Sequence, residues 1–130
     1  MKTIHCLFVV DTSGVVASGS LQDNIYCVDS NGYLGSWGEG TKSLHTVCRE
    51  GQTICWSATS VSPGNSASLT GFSGHMILSG VCIPKQVGSE TNPSWQGQVQ
   101  SRGQFATFTF TASIKIDGRV FQCNGAIKVV

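Results

Sequence analysis

TFTFTASIKIDGRVFQC, residues 107–123, decides the fold. Phe108, Phe110, Ala112, Ile114 and Ile116 alternate with Thr107, Thr109, Thr111, Ser113 and Lys115. A two-residue period places one set on each face of a strand. Asp117-Gly118 then interrupts the run. A two-residue loop of that composition favours a type I′ turn, because Asp and Gly tolerate the positive φ it needs at both central positions. Arg119 to Cys123 begins the return strand. The hairpin has one apolar and one hydroxylated face, and the apolar face needs a second layer against it.

Outward from the hairpin the same rhythm recurs. Ile4 to Val10, Asn24 to Val28, Leu44 to Arg49, Thr53 to Thr59 and Gly74 to Val81 read as strands, with Ser66 to Thr70 and Trp95 to Ser101 as weaker ones. Glu50-Gly51-Gln52 reads as the tight turn of a second hairpin, Ser62-Pro63-Gly64-Asn65 as another turn, and Val87 to Pro93 as a flexible loop. No stretch of helical length carries apolar residues at a 3.6-residue period. Regularly spaced strands without helices between them predict an all-β fold. The expected architecture is one domain over residues 1–130, an antiparallel β-sandwich, with jelly-roll and immunoglobulin-like wiring both open.

Composition narrows the partners. Charged residues are 12% of the chain, about half the usual share, and the net charge is +1. The eight cations, from Lys2 to Lys128, are scattered rather than clustered. Counterion-release binding needs a basic stripe, so nucleic acid is not an expected partner. Weak self-repulsion instead favours association with further copies. No apolar run approaches the roughly twenty residues of a membrane span. Ile4 to Val10 follows Lys2 in the manner of a signal peptide, but Asp11 cuts the run short, and it reads as a strand. Pro93 blocks the Asn92-Pro93-Ser94 sequon. A cytoplasmic location is expected, with export lacking a signal peptide left open.

Six cysteines allow three disulfides in fifteen pairings. Cys6, Cys27, Cys48, Cys55, Cys82 and Cys123 mostly sit within apolar runs, where a free thiol packs as a small core residue. Reduced, buried thiols are expected.

The segment Gly35 to Ser43 is glycine-rich, but Thr41 separates Gly40 from Lys42 and a strand pattern follows, so it is no phosphate loop. His5, His45 and His75 lie in or beside strand-like runs, and no Gly-X-Ser-X-Gly elbow occurs. No catalytic residue is assigned. Without a Cys-X-X-Cys or His-X3-His pair no metal is expected, and no cofactor either. Asp29-Ser30-Asn31-Gly32 opens like a calcium loop but lacks the later ligands. Trp56 reads as core. Asp29, Asn31, Tyr33, Trp37 and Trp95 form the candidate binding set, since aromatics beside Asp and Asn can stack on sugar rings or anchor a protein partner. Packing in the core is the competing account of each ring.

The succession CLFVVD (6–11), IYCVDSNGYLGSW (25–37), LHTVCREGQTICW (44–56), GFSGHM (71–76) and DGRVF (117–121) resembles the bacterial AidA/PixA inclusion-body family over nearly the whole chain. The resemblance rests on packing motifs. It implies a non-catalytic β-sandwich made under density-dependent control and linked to virulence, host interaction or intracellular inclusions. The leading expectation is thus a homodimer or larger assembly, with a glycan or host protein as further partners. A small lectin-like module is the alternative. An enzyme using Cys48 or Cys55 with His45 is a third class.

Overall fold

A computed structural model describes residues 2–31, 36, 38, 44–61, 66–88 and 93–130. In chain order the elements are β1 (Ile4–Val10), α1 (Thr12–Ser18), β2 (Ile25–Asp29), β3 (His45–Cys48), β4 (Thr53–Ser60), β5 (Ala67–Ser73), α2 (His75–Leu78), β6 (Lys85–Val87), β7 (Ser94–Gln98), β8 (Thr107–Ile116) and β9 (Arg119–Val129). Two sheets form. One runs β2-β1-β4-β7-β6, the other β3-β9-β8-β5.

The hairpin of residues 107–123 forms as its sequence dictates. Ile116 pairs with Arg119, and the turn residues Asp117 and Gly118 have φ of 49° and 80°, the type I′ signature. Its apolar face is buried: Ala112 and Ile114 are 0% exposed. Ile4, Cys6, Phe8 and Val10 of β1 with Ile54, Trp56 and Ala58 of β4 supply the opposite layer of one core. Trp56 sits in its middle, its ring 5.1 Å from Phe72 and 5.9 Å from Phe110. Gly125, the register partner of Phe110, makes that possible. A Cβ there would stand 2.5 Å from the Phe110 ring.

Four expectations need correction. The sheets are mixed rather than antiparallel: β1 runs parallel to β4, with Ile4 beside Ile54, and β3 runs parallel to β9. Side-chain period says which face a residue takes, not which distant strand lies beside it. Glu50-Gly51-Gln52 turns the chain but closes no hairpin, because β3 and β4 belong to different sheets. This corner is held instead by Val99, whose carbonyl accepts from Gly51 N–H and whose N–H donates to Gln52 O.

Gly74 to Val81 is not a strand. Gly74 takes φ +106°, where a Cβ would stand 3.2 Å from Phe110 Cα, ending the extended path, and its carbonyl then accepts from Ile77 and Leu78 N–H to start α2. Residues 12–18 form a second short helix. Asp11 caps its start by accepting from Gly14 N–H, and Gly19 ends it in the left-handed region. Seven residues are too few to show a period, so only these caps announced it. The turn at residues 62–65 lies outside the described residues, as does most of the loop at 87–93, in which Val87 closes β6.

Candidate functional site

The two acidic-amide candidates meet at the end of β2. Asp29 is the register partner of Cys6 and so turns toward the second sheet. One of its carboxylate oxygens accepts from Asn31 N–H at 2.9 Å, the other from the buried Thr46 hydroxyl at 2.8 Å. Thr46 Oγ1 also lies 3.5 Å from Cys6 Sγ. The Asn31 amide donates to Val47 O. Asp29 and Asn31 therefore fasten the edge of one sheet to β3 of the other. Their polar groups are in large part spent on the fold.

Asn31 also lines a groove of about 400 Å³ with Lys2, Val47, Arg49 and Gln52. Gln52 is engaged at both ends, donating to Lys2 O and accepting from Arg49 N–H.

Trp95 stands elsewhere. It lies on β7, separated from β2 by β1 and β4, about 14 Å away at three strand spacings. It is half-buried, with its ring 5.8 Å from Phe72 and its indole N–H donating to Leu69 O at 3.1 Å. Tyr33 and Trp37 lie outside the described residues.

All six thiols are free and buried. Burial pushes Cys27, Cys48, Cys82 and Cys123 from the ordinary 9.0 up to about 12 and raises Cys6 as well. Thiolate is the nucleophile, so such thiols are chemically quiet. Cys48 and His45, three residues apart on one strand, point to opposite faces. Cys55 is in the other sheet, on its outer face between His5 and Gln96 in register. His75 stacks on Phe108 at 5.4 Å. Glu50 has a structural partner too: it accepts from Ser101 N–H at 2.7 Å and from the Ser101 hydroxyl, which holds its carboxyl below the usual range. Among the described residues no group of three or more His, Cys, Asp or Glu could hold a metal.

Two surfaces remain that periodicity alone did not single out. On the outer face of the five-stranded sheet, Val9 pairs with Tyr26 and Leu7 with Val28, an apolar group at the β2 edge in which Tyr26 is 41% exposed. The alternation that marked the inner face also marks this one, and burial grades it: Val9 is buried, Leu7 and Val28 are half-buried and Tyr26 is exposed. On the same sheet Gln96, Gln98, Lys85 and Ile83 line a groove of about 320 Å³ beside β6 and β7. No helix among the described residues is long and apolar enough to cross a membrane.

Residues 2–122 match the model of a family described as a domain of unknown function, DUF8788. No curated protein matches the sequence. Among solved structures, the inclusion body protein PixA from Burkholderia cenocepacia superposes with a TM-score of 0.77 at 16% identity, over 99% of this chain and 96% of that one. The fold is thus that of PixA. An endo-fucoidan hydrolase of glycoside hydrolase family 107 matches with a TM-score of 0.42 at 11% identity, over 85% of this chain and 17% of that one.

Proposed function

Because the chain belongs to the DUF8788 family, whose function is unknown, we propose from its geometry that it acts without catalysis, by assembling with further copies of itself. The observation that carries this is Tyr26, 41% exposed among the apolar neighbours Leu7, Val9 and Val28 on β2, an edge strand of its sheet among the described residues, on a chain of net charge +1. Exposed apolar surface next to unpaired backbone invites a second sheet, and low charge offers little repulsion against it. Two β2 edges related by a twofold axis would extend the sheet from one protomer into its partner. The thiols held quiet by burial, and the separation of His45 from Cys48 and Cys55, support the non-catalytic part. The protein that shares the fold is itself named for inclusion bodies.

In this reading the protein is one domain in a bacterial cytoplasm, produced under density-dependent control and serving virulence or host association, as the AidA/PixA resemblance implies. Light scattering on the purified protein tests the assembly. A dimer or larger species is expected for the native chain, with Tyr26→Lys shifting it to monomer. A native chain that stays monomeric at high concentration refutes the proposal.

A second reading is binding of a host glycan or protein through the candidates Asp29, Asn31, Tyr33 and Trp37, with Trp95, which stands apart on β7, dropped from the set. It is favoured by one observation, the 400 Å³ groove that Asn31 lines. Loss of binding in Asn31→Ala on a glycan array would support it, and an array without hits would remove it.

A further inference from the structure

Gln96, Gln98 and Gln100 follow one another at every second residue, so their amides leave the same face of the chain. With Ile83, Lys85 and two glycines they line the groove of about 320 Å³, at the small end of ligand sites. One of those glycines shapes it. A Cβ at Gly97 would lie 2.6 Å from Cys82 Sγ, so the missing side chain lets the Cys82–Ile83 segment pass against β7. Ile83 is thereby held at the groove wall, 52% exposed. Lys85 flanks it as the register partner of Gln96.

Most of this polar capacity is uncommitted. Among the described residues the side chains of Gln96, Gln100 and Lys85 make no hydrogen bond or ion pair with the protein. Gln98 donates once, to Gly51 O at 3.2 Å, and keeps its carbonyl oxygen open. The groove beside Asn31 differs, since both ends of Gln52 and the Asn31 amide are already bonded there.

A primary amide brings two donors and one acceptor oxygen without net charge, which suits a row of hydroxyls better than it suits a phosphate. Exposed isoleucine offers an apolar contact for the C–H face of a ring. We propose that this groove binds an oligosaccharide, with Gln96, Gln98 and Gln100 hydrogen-bonding successive hydroxyls, Ile83 covering a ring face and Lys85 meeting any acidic substituent. The assignment rests on the ligand-binding reading, which it moves to different residues, and it is independent of self-association.

Titration of the full chain with maltotriose, triacetylchitotriose and trigalacturonate, followed by ¹H–¹⁵N NMR, tests it. At least one sugar is expected to shift the Gln96 and Gln100 side-chain amide signals saturably. The double variant Gln96→Ala, Gln100→Ala should weaken that binding about tenfold or more, or ~1.4 kcal/mol, with the backbone spectrum retained. Asn31→Ala should bind as the native chain does. No shift with any of the three sugars up to about 10 mM overturns both the site and glycan binding. Binding kept in the double variant but lost in Asn31→Ala overturns the site alone and leaves the ligand in the other groove.

Discussion

Raising the pH from 8 to 10 should cost this protein a large part of its stability. Five of its thiols point inward: Cys6, Cys27, Cys48, Cys82 and Cys123 are each between 1% and 3% exposed. In the unfolded chain a thiol gives up its proton near pH 9. In the folded protein burial holds four of these near 12 and raises Cys6 too. Above pH 9 the unfolded state therefore binds fewer protons than the folded one, and the free energy of unfolding falls as pH rises toward 12. Between pH 8 and 10 each such thiol contributes a loss of about 1.4 kcal/mol. Five sum to ~7 kcal/mol, and allowing for residual solvent around the sulfurs gives ~3–7 kcal/mol. That is comparable with the ~5–15 kcal/mol that holds a typical domain folded. Urea unfolding at pH 8, 9 and 10, followed by tryptophan fluorescence, measures it. Removing two thiols, as in Cys27→Ala with Cys123→Ala, should flatten the slope by about two-fifths. A stability that changes by less than about 1 kcal/mol across this range would refute the reasoning.

Native thiol labelling at pH 8 should show Cys55 reacting ahead of the rest: it lies on the outer face of its sheet and is 9% exposed, against 1–3% for the other five, whose thiolate content burial suppresses about a thousandfold. Cys55→Ser should remove the fast phase, and all remaining thiols should react in denaturant. Gly125→Ala, which sets a Cβ 2.5 Å from the Phe110 ring, should lower stability by about 1–3 kcal/mol in the same urea assay, with a near-native effect counting against the tight fit. Thr46→Val removes a hydroxyl donated to the Asp29 carboxylate at 2.8 Å and should cost about 1.5–3 kcal/mol. Equal stability of that variant would mean the tie between the sheets contributes nothing.

How much of this was legible before folding differs from element to element. β1 runs from Ile4 to Val10 as the alternation of its residues requires, and the Asp117-Gly118 turn fixes the register of β8 with β9 from four consecutive residues. Trp56 in the core follows from the same local pattern. The candidate site was far less legible. Asp29 looked like a ligand-binding carboxylate and proved to be bonded to Thr46, a residue seventeen positions away whose nearness no window of sequence reports. Trp95 shared a chemistry with Asp29 and Asn31 but stands three strands from them.

The sequence by itself determined which side chains turn inward, where the main hairpin folds back and that most of the cysteines fall within apolar strand-like runs. All of these depend on neighbours one to four residues apart, over which the backbone geometry of a strand or turn is fixed. The tertiary structure alone decided that β1 lies parallel to β4 and β3 to β9, that residues 50–52 form a corner between sheets, and that three glutamines border a groove with the amides of Gln96 and Gln100 unspent. Those outcomes depend on which distant strands bury their apolar faces together, and a strand with one greasy side satisfies that demand with many partners until the whole core is assembled.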